Sequence, residues 1–243
     1  MTVEKGEMSF LDHLEELRWR VVKAAIALTV CAIPSGIYWQ KILGWVLIYP
    51  LRNTSPRPKL IYTNPSESVV LSFKIAFAGG IIAASPVIFY QLWKFISPGL
   101  YKNEKKIIFP TVIASTFFFI TGIAFSYYTF PILLRFLTAY AGNQLDPMFK
   151  VDEYFTFLMK ISLSFGAVFE LPVASFVLAR MGVLTAKFLI DKVRYAIVAI
   201  FIVAAILTPP DVISQLMLAG PLLVLYGISI IVAAVASRKK AAA

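Results

Sequence analysis

The sequence is poor in the side chains that carry covalent and metal chemistry. Among its 243 residues stand one cysteine, Cys31, and one histidine, His13. A single thiol excludes an internal disulfide framework, and one Cys with one His leaves no set from which to build a zinc site. The H-E-x-x-H pattern of zinc proteases needs a second histidine. Cys31 also lies inside an apolar run that His13 precedes, which speaks against a Cys-His nucleophilic pair. No metal, no cofactor and no enzyme activity are expected. Charge is scarce as well, at 15% of residues, where soluble domains carry about 25%. Hydrophobic residues make up 59% and the mean hydropathy is +0.80, in long stretches with hardly a charge inside them. One soluble core would not need such stretches; this is a membrane chain.

Acids are the scarcer sign. Thirteen Asp and Glu stand against 23 Lys and Arg, a formal net charge of +10. In a soluble protein that excess would suggest nucleic acid. In a membrane protein it sets orientation on the cytoplasmic flanks, so no nucleic-acid partner is expected. The first apolar run is too long for a signal-peptide core and lacks a small-x-small cleavage pattern. Val30 before Cys31 also argues against a lipid-modified cysteine, so the run is expected to remain a helix.

Six spans are predicted: residues 19–39, 69–95, 107–130, 154–179, 195–207 and 212–236. Pro34 bends the first, Ser85-Pro86 breaks the second, and Pro131 opens an outer loop after the third. The fifth is short, because a hydrocarbon core about 30 Å thick needs about 20 residues at 1.5 Å each. Either the bilayer thins beside it, or Thr208-Pro209-Pro210-Asp211 is drawn into the membrane within protein. The expected organisation is one all-α membrane domain over 1–243. It has an amphipathic lead-in at 1–18, outer loops at 41–68 and 131–152, and cytoplasmic loops at 97–106 and 180–194. Fifteen basic residues flank one side and six the other, placing both termini in the cytoplasm. Trp19, Trp39, Trp45 and Trp93 fall near span ends, as interfacial anchors do. No internal repeat is evident.

Three charges fall inside predicted spans. Lys74 and Lys160 lie one to two turns from the outer ends of their helices, within reach of water by snorkelling. Glu170 lies about 15 Å along the helix from Arg180, too deep for its short side chain. It must be protonated, partnered or set in a water-filled recess. It is either a neutral acid bonded to a neighbouring helix or a functional acid that meets a cationic guest or wets a groove. Pro172 frees a backbone carbonyl nearby. His13-Leu14-Glu15-Glu16-Leu17-Arg18 reads as an amphipathic helix, with Glu16 and Arg20 at i, i+4. Asn103 suits an N-cap for the third span, and Glu104 suits its first turn. Asp211 suits an N-cap for the sixth, and Gln215 bonds either within the bundle or to a partner helix.

These stretches, together with 85–93, 100–105, Phe169-Glu170-Leu171-Pro172 and 207–215, resemble in order and spacing the TatC family, the polytopic subunit of the twin-arginine protein translocase. The resemblance implies a receptor for Arg-Arg signal peptides of folded proteins, one that organises single-span TatA/TatB-type subunits in homo- and hetero-oligomers of a bacterial-type cytoplasmic (inner) membrane. It implies signal-peptide binding by Glu16 and Glu104, with Arg18 and Phe95 at the same site. It makes Glu170 the intramembrane polar site and places partner docking at Thr208 and Gln215, beside Asp211. Glu15, Asn103 and Lys105 depart from the family's usual residues, leaving open whether Glu15 or Glu16 dominates. Two arginines call for two separated carboxylates, since each guanidinium is a planar fork of donors. The alternative function is a proton-coupled small-solute carrier, for which a buried Glu170 and discontinuous short helices would be natural.

Overall fold

A computed structural model describes residues 10–52, 59–96, 108–140, 146–208 and 211–241. Helix α1 (Phe10–Ile37) joins the amphipathic lead-in to the first span without a break and carries Pro34 inside it. A helical turn, α2 (Trp39–Ile42), a π-helical turn (Leu43–Leu47) and α3 (Ile48–Arg52) follow. The first predicted outer loop therefore begins as helix, with Pro50 and Leu51 buried. Strand β1 (Lys59–Ile61) leads to α4 (Glu67–Ile96). The Glu67 carboxylate reaches back to accept from Thr63 N at 2.9 Å and from Thr63 Oγ1 at 3.0 Å, which satisfies donors just ahead of the helix.

Helix α5 (Ile108–Tyr140) runs straight through Pro131. The expected loop start at Pro131 is thus replaced by about three more turns of helix. Leu133, Leu134 and Thr138 are all buried there, and that burial rewards continuing the helix past a missing N–H, a defect that packed membrane helices tolerate. Strand β2 (Met148–Lys150) pairs in parallel with β1, Leu60 opposite Phe149, so the two predicted outer loops are joined by backbone hydrogen bonds.

The fourth predicted span is two helices, α6 (Val151–Phe169) and α7 (Leu171–Met181), with the break at Glu170. Pro172 explains it, because its ring lacks an N–H and clashes with the carbonyl four residues earlier. Helix α7 stops at Gly182, whose φ of 81° is the left-handed value that terminates helices cheaply only for glycine. Then come α8 (Ala186–Asp191), capped by Thr185 Oγ1 accepting from Phe188 N, the short α9 (Val193–Leu207) and α10 (Val212–Ala241). Among the described residues, five stretches are long and apolar enough to cross a membrane, α6 and α7 counting as one, and α9 is a shorter apolar helix.

Small residues let the helices approach. A Cβ on Gly80 would stand 2.9 Å from Ala32 Cβ and 3.0 Å from Leu28 O of α1, and one on Gly122 of α5 would stand 2.7 Å from Phe165 O of α6. Phe130, Leu158, Ile161, Phe165 and Leu222 form the larger core, while Phe89, Trp93, Phe119 and Val173 form a second cluster. Ile26, Val30, Ile33 and Ile37 make an exposed apolar stripe down α1, as a lipid-facing surface requires.

Candidate functional site

At the end of the bundle where α1 begins and α4 finishes, the His13 ring stacks on Phe95, centroids 4.5 Å apart and planes 18° apart. This contact brings the acidic turn of α1 to the last turn of α4, immediately before the segment that carries Glu104. Glu104 itself lies outside the described residues. Glu16 is half-buried and already engaged: Arg20 Nε donates to its Oε1 at 3.0 Å, and Arg20 Nη2 donates to the same oxygen. Its Oε2 is buried without a hydrogen bond, 4.0 Å from His13 Nδ1. Both nitrogens of the fork converge on one oxygen, so the carboxylate is half satisfied. Glu15 and Arg18 are exposed. The i, i+4 pair was legible in the sequence; the open second oxygen was not.

Deep in the bundle, Glu170 sits at the α6–α7 break with both carboxyl oxygens buried and unbonded. The Ser115 hydroxyl of α5 faces it without closing a hydrogen bond of normal geometry. Ser115 accepts Trp93 Nε1–H of α4 at 2.8 Å, which leaves its own proton as the group it has to offer the acid. A buried polar group left in this state costs about 1–3 kcal/mol or more. Ser115 is thus the neighbouring-helix group closest to satisfying the acid. Ser115 and Trp93, unmarked by sequence reasoning, belong to this site because they are the polar groups beside the acid.

The opposite end holds the remaining predicted residues. Thr208 is buried, its Oγ1 donating to Ala204 O at 2.8 Å. Asp211 caps α10 as expected, Oδ1 accepting from Ser214 N at 2.7 Å, while its Oδ2 and the Ser214 Oγ are buried without partners. Gln215 bonds within the bundle, Nε2 to Phe201 O of α9 at 2.9 Å. Thr208 also lines a recess of about 460 Å3 with Lys74, Asp152, Thr156 and Lys160. Lys74 is part-exposed and also partnered. Its Nζ donates to Asp152 Oδ1 at 2.6 Å, Oδ2 at 2.8 Å and Thr156 Oγ1 at 2.9 Å, an ion pair between α4 and α6. The structure thus brings His13, one turn before Glu16, to Phe95 and gathers Thr208, Asp211 and Gln215 around the α9–α10 turn, with Glu170 at a third place. Among the described residues no cluster of His, Cys, Asp and Glu could hold a metal.

Comparison with known proteins shows the family of this bundle. The sequence profile of the family described as Sec-independent protein translocase protein (TatC) matches residues 12–221. The Sec-independent protein translocase protein TatC of Helicobacter pylori strain J99 is 41% identical over 222 residues, covering 91% of this chain and 87% of that one. That of Aquifex aeolicus is 40% identical over 238 residues, covering 96% and 98%. TatCy of Bacillus subtilis is 36% identical, covering 96% and 92%. A crystal structure described as the twin arginine translocase receptor TatC superposes with a TM-score of 0.83 at 38% identity, over 93% of this chain and all of that one. The broken fourth span with its buried acid and the stacked junction of α1 with α4 thus sit in a bundle most of whose length has known counterparts, and the chain belongs to the TatC family of Sec-independent protein translocase proteins.

Proposed function

We propose that this protein is the signal-peptide receptor and core subunit of a twin-arginine translocase. It lies in a bacterial-type cytoplasmic membrane as one six-span domain with both termini inside. Its relatives are translocase components rather than enzymes or carriers. The observation that supports the reading best is the His13–Phe95 stack, because it holds the stretch of α1 that carries Glu16 to the end of α4, the helix that precedes Glu104 in sequence. Two carboxylates on separate segments at one wet interface suit two adjacent guanidiniums, each demanding a planar, paired acceptor.

An incoming arginine finds Glu16 with one oxygen open and the other held by Arg20. It completes the carboxylate by taking Oε2, or it displaces Arg20 and takes both oxygens. The apolar part of the signal lies along the proline-broken helices. Glu170, unbonded in the free protein, supplies the polar group that this groove presents at membrane depth. Single-span partners dock at the α9–α10 turn, where Asp211 Oδ2 and Ser214 Oγ are the unpaired polar atoms, since Thr208 and Gln215 have spent donors internally.

Titration of a labelled Arg-Arg peptide into the purified protein, with Glu16→Gln and Glu104→Gln variants, tests the recognition site. Each substitution should lower affinity at least tenfold. Affinity unchanged in both would remove the site.

A further inference from the structure

A groove of about 460 Å3 opens between α5, α7 and α10, lined chiefly by Phe118, Val173, Phe176, Ile228 and Val232, with Arg180 at its α7 end. Its size is that of small-molecule sites, which are mostly apolar with few polar groups. Arg180 occupies the last turn of α7 and lines the groove together with Pro110 and Thr111 near the start of α5, so the charge stands at one end of an otherwise apolar groove. The guanidinium lies over the Phe176 ring, its carbon 5.7 Å from the centroid. Its Nε is buried and makes no hydrogen bond. Among the described residues, no carboxylate lies within ion-pair distance of it. A buried guanidinium donor without an acceptor is costly, and a helix C-terminus alone does not supply the planar pair of acceptors that the fork fits.

We propose that this groove is a phospholipid site, with an acyl chain along Phe118, Val173 and Ile228 and the phosphate of an anionic headgroup on Arg180. Phosphate supplies the paired acceptors that Nε and a terminal nitrogen of arginine match. The predicted orientation puts Arg180 on the cytoplasmic face, the leaflet where anionic lipid attracts basic residues. A zwitterionic headgroup offers the same phosphate but cancels its charge, so the site distinguishes the two. Glu16, Thr208, Asp211 and Gln215 do not line this groove, although Pro172 of the α6–α7 break does, so the lipid site rests on Arg180 rather than on the proposed receptor role.

The test is native mass spectrometry of the purified full chain with phosphatidylglycerol and phosphatidylcholine of matched acyl chains. Retention of phosphatidylglycerol should exceed that of phosphatidylcholine about fivefold, the effect of one basic residue on an anionic lipid. Arg180→Gln should abolish the preference, and Arg180→Lys, which keeps charge but loses the fork, should retain part of it. Val232→Trp, which fills the groove, should reduce retention of both lipids, with thermal unfolding in detergent showing that each variant is folded. Equal retention of the two lipids by the unaltered protein would overturn the proposal. So would a preference untouched by Arg180→Gln, displacement of the lipid by millimolar inorganic phosphate alone, or a preference seen only in Glu104→Gln, which would assign Arg180 to the loop acid.

Discussion

Lys74 and Glu170 look alike in the sequence, each a lone charge in an apolar helix, and they end in opposite conditions. Lys74 is closed off: Asp152 gives it both oxygens and Thr156 a third acceptor, all from α6. Glu170 is left open at a helix break, with two unbonded oxygens and one serine nearby. A charge that a chain needs for its own architecture is saturated by the chain. The role proposed for Glu170 rests on its being left unsaturated at a cost in stability. Glu16 falls between them, with one oxygen taken and one open.

Exchanging the two conditions would break this contrast. Glu170→Leu should lower export of a twin-arginine substrate tenfold or more while leaving unfolding in detergent unchanged or shifted to higher temperature, since an unpaired buried polar group is removed; Gln should be milder. Wild-type export with Leu would end the distinction. Lys74→Met should do the reverse, stranding Asp152 and destabilising the protein by about 2 kcal/mol, less than a fully buried pair because both side chains are part-exposed. Lys74→Met with Asp152→Leu should recover most of that loss, read by the same unfolding transition.

Two smaller effects sharpen the intermediate cases. Asp211→Ala removes the cap of α10 and should cost about 1 kcal/mol, whereas Asp211→Asn should cost less and still weaken co-purification of single-span partners if Oδ2 is the docking atom. Arg20→Gln should raise affinity for an Arg-Arg peptide by about two- to fivefold, the worth of a semi-exposed i, i+4 pair. The gain should vanish in a Glu16→Gln background, and Lys23→Gln, which removes a charge one turn away, should not reproduce it. Lower affinity in Arg20→Gln would instead make Arg20 a positioning residue.

The helices were legible because membrane depth demands long apolar runs, and the observed α4, α9 and α10 lie within a few residues of the predicted spans over most of their length. Pro131 misled because a breaker in water is tolerated where neighbours bury the next turn, as Leu133 and Leu134 do. Pro172 signalled a polar backbone near Glu170 but not a complete break. Local partners could be read at fixed spacing, as with Glu16 and Arg20 or Asp211 and Ser214. Lys74 with Asp152 could not, since 78 residues separate them. The pairing of β1 with β2 was hidden too, because three-residue strands leave no periodic trace.

That pairing sets an order of events. Residues 59–61 cannot acquire their strand partner until Met148 to Lys150 have been made, and Lys74 cannot reach Asp152 any sooner. At about 5–20 residues per second, translation of the intervening stretch takes roughly 5–18 s. Throughout that interval the β1 end of α4 is an open seam with an unpaired lysine and a bare strand, and one late arrival, the start of α6 with the strand before it, shuts both together.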